Sequence, residues 1–103
     1  MDINKIIEFT NGYRAYRRAN QEVLEERKFR NEALLVTFLD RFPEERFNSM
    51  NMNEYLFEKG NKSTFSYWLD NTLNDLGYGG KYIELSLYDG FKGMYEFVSN
   101  LTG

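Results

Sequence analysis

Apolar residues recur at helical spacing along most of the chain, and the clearest run begins at Phe65. Phe65, Trp68, Leu69, Thr72, Leu73 and Leu76 stand at i, i+3, i+4, i+7, i+8 and i+11, which puts them on one face of an α-helix. Asp70, Asn71, Asn74 and Asp75 take the other face. Ser63 or Thr64 is placed to cap the start, because a hydroxyl there accepts a hydrogen bond from a free first-turn N–H. Gly77 stands where a left-handed residue ends a helix without a Cβ clash. Burying Trp68 and Phe65 contributes about 2–3 kcal/mol each. This is the expected core helix, with Phe65, Trp68, Leu69, Leu73 and Leu76 as its buried members.

Upstream, Ile3, Ile6 and Ile7 share a face in a first helical stretch over 2–11, with Asp2 able to cap it. Gly12 either ends that stretch or is absorbed into a longer helix at a cost of about 1 kcal/mol relative to Ala. A long helix is predicted from Tyr13 to Asp40. Its stripe is Tyr13, Tyr16, Val23, Leu24, Leu34, Leu35, Phe38 and Leu39, interrupted by Asn20 and Arg27. Glu26 precedes Arg30 by four residues, a helix-supporting spacing. Phe42-Pro43 stops the helix, since the residue before proline is pushed out of the α region. A connector, 43–53, leads to a short helix from Asn53 to Lys59, with Tyr55 and Leu56 inward and Gly60 at its end.

Gly77-Tyr78-Gly79-Gly80 reads as a loop. Between Lys81 and Asp89, Ile83, Leu85 and Leu87 alternate with Glu84 and Ser86, a strand pattern, and Asp89-Gly90 is a turn signal. Met94, Phe97, Val98 and Leu101 return to helical spacing. Either 81–97 forms a short β hairpin or pairs with another chain, or tertiary contacts override the alternation and 81–88 is helical. The expected class is mainly α: a small helical domain with a long N-terminal helix and a Trp-anchored second helix.

Composition narrows the chemistry. The 103 residues, 42% hydrophobic and 28% charged, make a single globular domain, 1–103, with one core filled largely by 17% aromatics. No run approaches the roughly 20 apolar residues that span a bilayer, and Met1 to Lys5 lacks the start of a signal peptide. The expected location is the cytoplasm. With no His and no Cys, imidazole bases, thiol nucleophiles, disulfides and the usual zinc ligands are excluded. Oxygen ligands remain, but no Asp-rich loop has EF-hand spacing. The net charge of −3 divides into +1 over residues 1–42 and −4 over 43–103, too little of either sign to mark a strong polyanion binder.

The basic, aromatic-interleaved run is Tyr13-Arg14-Ala15-Tyr16-Arg17-Arg18. On a helix Arg14, Arg17, Arg18 and Gln21 share a face, from which Arg and Tyr13 could hold phosphates and stack on bases or meet a partner protein. Lys59-Gly60-Asn61-Lys62-Ser63-Thr64 precedes a helix N-terminus, which attracts anions. It lacks the Gly-x-x-x-x-Gly-Lys-Ser/Thr order and a preceding strand, so a cap and turn is the better reading. The acidic pairs Glu25/Glu26, Glu44/Glu45 and Asp70/Asp75 lie in polar runs with no apolar setting to raise a pKa. No catalytic, metal or cofactor site is expected, and the chain is read as not an enzyme.

Glu54-Tyr55, then Lys62-Ser63-Thr64-Phe65-Ser66-Tyr67-Trp68-Leu69-Asp70, then Leu76-Gly77-x-Gly79-Gly80 form a longer pattern. It resembles a segment near the N-terminus of bacterial restriction-type proteins, including McrB-like AAA ATPases. Those carry Glu-Tyr, then Lys-x-(Ser/Thr)-Phe-x-Tyr-Trp-Leu-Glu, then Leu-Gly-Ser-Ile-x-Gly-Gly. The resemblance spans residues 53–80. Here Asp70 replaces the Glu, the Ser-Ile is missing, and the strand that follows survives only as Lys81-Tyr82-Ile83. The resemblance implies a small module of phage or foreign-DNA restriction machinery, not its motor or nuclease. The chain is then either a piece of a larger protein or a free-standing version. Together these readings favour a binding module with a protein partner: an accessory domain of a restriction-like system or a mobile-element inhibitor. The alternative is a DNA-contacting specificity domain using Arg14, Arg17 and Arg18.

Overall fold

The computed structural model describes the backbone of residues 3–102 and the side chains of residues 3, 4 and 18–102. Helix α1 runs from Ile3 to Arg41 without a break. The two upstream stretches are therefore one helix, and Gly12 is absorbed. The helix stops as its proline requires: Phe42 N–H still bonds Phe38 O at 2.8 Å, and Pro43 is extended. A 3-10 turn, Glu44–Arg46, leads into α2, Ser49–Glu58. That helix begins four residues ahead of the expected Asn53 because Asn48 caps it, its side chain accepting from Asn51 N–H at 3.0 Å.

Helix α3, Phe65–Asp75, is the Trp68 helix. Thr64 occupies its N-cap position, but its hydroxyl makes no cap bond. The oxygen that meets the first turn is Asn53 Oδ1 on α2, 2.7 Å from Phe65 N. The far end closes as expected: Gly77 has a φ of 96°, Tyr78 N–H bonds Leu73 O and Gly77 N–H bonds Asn74 O. This pair of bonds satisfies carbonyls the helix would otherwise leave free.

Helices α4, Lys81–Tyr88, and α5, Gly90–Thr102, meet at Asp89. The β hairpin is thereby corrected: among the described residues there is no strand. A strand would put Ile83, Leu85 and Leu87 on one face. The helix turns about 200° per two residues, so Leu85 is 5% exposed while Ile83 and Leu87 are 56% and 71% exposed. Packing of α4 against α3 and α5 supplies what a lone strand lacks, since its backbone would have no ladder partner. The two helices approach closely where Gly93 sits: a Cβ there would collide with the Asp89 side chain.

The core is aromatic. Phe38 of α1 stands at its centre, with ring centroids 4.8 Å from Tyr55 and 5.0 Å from Trp68. Phe47, from the connector, meets Phe65 and Tyr95, each at 5.5 Å, and so ties α5 to α3. Edge-on pairs of this kind add about 0.5–1.5 kcal/mol beyond their burial. Phe65, Trp68, Leu69 and Leu73 are buried as expected, whereas Leu76, at the C-cap, is half-buried.

Candidate functional site

Arg18 and the core face of α1 diverge. Side chains of Tyr13, Arg14 and Arg17 lie outside the described residues; Arg18 is exposed. Nine residues separate Arg18 from Arg27, which on a helix is about 180°. The upstream arginine is on the far side of the helix from the surface that meets α3.

On that nearer surface α1 and α3 run antiparallel, as their contacts show. Arg27 is paired with Asp75, Asn31 with Trp68, and Phe38 packs near Phe65. Arg27 reads in sequence as an interruption of the apolar stripe. It is instead a two-pronged bridge, Nε to Oδ2 at 2.9 Å and Nη2 to Oδ1 at 2.8 Å. Asp75 contributes a nearly buried carboxylate, 9% exposed, to a half-exposed guanidinium, so solvent screens part of the attraction.

Between α1, α3 and the 59–63 turn lies a cleft of about 910 Å³. Leu34, Tyr55 and Trp68 contribute its apolar lining, with exposed Tyr67 at the rim. Arg27, Arg30, Lys59 and Lys62 also line it, against a single carboxylate, Asp75. That is +3, so in a chain of net −3 the remaining residues carry −6. Lys59 Nζ sits 5.3 Å from the centre of the Tyr55 ring. Arg30 and Lys62 form no ion pair among the described residues.

Four asparagines, Asn31, Asn61, Asn71 and Asn74, also line it, with the hydroxyls of Thr37 and Ser63. Trp68 Nε1–H donates to Asn31 Oδ1 at 3.1 Å, which fixes the amide, because an indole nitrogen only donates. Asn61 Oδ1 accepts from Ser63 N–H at 2.9 Å. The NH2 groups of Asn31, Asn61 and Asn74 have no acceptor among the described residues, whereas Asn71 Nδ2 donates to Tyr67 O at 3.0 Å. The cleft thus offers cations and amide donors on an apolar floor, beside amide and hydroxyl oxygens that can accept. It can hold an anionic, carbonyl-bearing group.

The 59–64 segment is a cap and turn, as its residues suggest. Gly60 N–H bonds Phe57 O and Asn61 N–H bonds Leu56 O, closing α2. Ser63 and Phe65 N–H are already taken by asparagine side chains, so two of the amides around this helix start are engaged within the protein. Lys59 and Lys62 nonetheless reach the cleft from this turn. Of the acidic pairs, Asp75 is engaged by Arg27, Asp70 is half-exposed, and Glu25, Glu26, Glu44 and Glu45 are exposed. Among the described residues, no group of three or more acidic side chains could hold a metal ion, and no helix is long and apolar enough to cross a membrane.

Sequence reasoning passes over the cleft because its members come from three separate segments: 27–37, 55–63 and 67–75. The available signal is polar residues on a core-facing helix surface, Arg27 and Asn31 among them. Set against known proteins, the chain matches no family model, no curated protein and no solved structure.

Proposed function

We propose that this chain is a non-catalytic, cytoplasmic binding module that acts through protein–protein contacts. Its setting in the proposal is the conflict between prokaryotes and their phages, as an accessory domain of a restriction-like system or as an inhibitor made by a mobile element. The observation that carries the binding role is the charge-segregated cleft, with its cations and amides held on two packed helices and the 59–63 turn. The setting rests on the resemblance over residues 53–80 alone. Phe65, Trp68, Leu69 and Gly77 of that pattern are core or capping residues here. They support a shared module more than a shared ligand.

The rival is DNA contact through Arg14, Arg17 and Arg18. An acidic body opposes it, since nucleic-acid affinity grows with the number of phosphates neutralised. Labelled duplex and single strand, titrated at two salt concentrations, separate the two readings. Each phosphate contact adds about 0.9 to the slope of log K against log salt on duplex. The protein-partner reading expects no binding tighter than millimolar, and the same for an Arg14/Arg17/Arg18→Ala variant. Micromolar binding lost by that variant would overturn it. Crosslinking of the full chain in extract of its native host should then identify a protein partner.

A further inference from the structure

From the cleft between α1 and α3 we infer the chemistry of the partner: an acidic peptide segment, with carboxylates on Arg30 and Lys62 and backbone carbonyls on the asparagine amides. This deepens the protein-binding reading and rests on it. Three independent features converge on that ligand.

The first is charge. Sixteen acidic side chains are present, yet Arg30 and Lys62 pair with none among those described. They stand in a cleft of +3 on a body of −6. A local positive cleft on an acidic body attracts a short anionic stretch and repels a long polyanion, whose flanking charges would meet the −6 surface.

The second is the set of amides. Asn31 on α1, Asn74 on α3 and Asn61 in the turn each keep an NH2 without an acceptor among the described residues, and all three line the cleft. An extended peptide presents a carbonyl at every residue, and side-chain amides facing it from two walls would hold its backbone irrespective of side chain. A phosphate chain offers no carbonyls of that spacing.

The third is preorganisation. Asn31 is itself buried and locked by the Trp68 indole, and Arg27–Asp75 braces α1 against α3 at one end. The apolar floor of Leu34, Tyr55 and Trp68 lowers the local dielectric and strengthens each charged hydrogen bond. Asn31 and Asn61, held in place before binding, lose little entropy on it.

The test uses the full, isotope-labelled chain, titrated with an N-acetylated oligoglutamate and followed by amide and indole resonances. Oligoglutamine is the neutral arm and oligothymidylate the phosphate arm. Oligoglutamate should shift the Trp68 indole N–H and the side-chain amides of Asn31, Asn61 and Asn74, and oligoglutamine should not. In the Arg30→Gln/Lys62→Gln variant the binding should weaken by about tenfold, since two exposed charge pairs are lost at roughly threefold each. Both residues are exposed and unpaired, so the fold survives the change. No shift, shifts elsewhere, unchanged affinity in the variant, or tighter cleft binding by oligothymidylate would each overturn the inference. The crosslinked partner separates this failure from failure of the broader reading. A partner retained equally by wild type and variant removes the cleft and keeps the module. No partner on either, with oligoglutamate still in the cleft, removes the module reading and upholds the cleft's chemistry.

Discussion

From Asn31 to Arg41, α1 is a wall of the core: Leu35 and Phe38 are fully buried and Asn31 is held by the Trp68 indole. From Arg18 to Arg30 the same helix buries no residue, and Val23 and Phe29 are 62% and 75% exposed. The molecule is correspondingly long, 64 × 29 × 23 Å with a radius of gyration of 18.3 Å, against about 13 Å for a compact chain of this size. The 39 residues of α1 account for it at about 1.5 Å each. One helix is thus held in two ways. Its downstream part is fixed by aromatic packing. Its upstream part has strong helix formers such as Glu22, Leu24, Glu25, Glu26 and Lys28, a Gln21–Glu25 side-chain bond at 2.9 Å, the Arg27–Asp75 bridge near its downstream end, and continuity with the anchored turns. Isolated helices are marginal in water, so that continuity decides.

Substitutions in the two regions should therefore differ by an order of magnitude. Trp68→Ala removes the ring that packs on Phe38 and donates to Asn31, and should cost about 3–5 kcal/mol in urea unfolding. A loss below about 1 kcal/mol would move Trp68 out of the core. Thr72 sharpens the contrast in the other direction. Its hydroxyl is buried on α3 with no hydrogen-bond partner among the described residues, a cost of roughly 1–3 kcal/mol that the isosteric valine avoids. Thr72→Val should raise stability by about 1 kcal/mol, read as a higher urea midpoint at unchanged slope. Val23→Ser, upstream, should change stability by less than about 0.5 kcal/mol. A larger loss would mean that the upstream half is packed against something.

Much of the downstream region is legible in the residues. The Phe65-to-Leu73 face and the Gly77 stop are local patterns, and both reappear in α3. Local pattern fails where a distant residue intervenes. Thr64 marks the helix start, but the oxygen that caps Phe65 N–H comes from Asn53, twelve residues before Phe65. Ile83, Leu85 and Leu87 alternate like a strand, yet packing on α3 and α5 selects a helix that leaves two of the three in solvent. The cleft is the extreme case. Arg30, Lys62 and Asn74 carry no spacing signal relative to one another, and only the antiparallel docking of α1 on α3 makes them neighbours. Arg27 is the informative clue: a charge on a core-facing stripe usually has a partner, here Asp75.

Native-state hydrogen exchange along α1 tests the contrast most directly, because amides report local opening residue by residue. The backbone amides of residues 35–41 should exchange only through global unfolding, with protection that falls together with stability in Trp68→Ala. The amides of residues 18–26 should exchange through local opening, orders of magnitude faster, and ignore that substitution. Uniform protection from residue 18 to residue 41, lost as one unit in Trp68→Ala, would contradict the account and make α1 a single cooperative element.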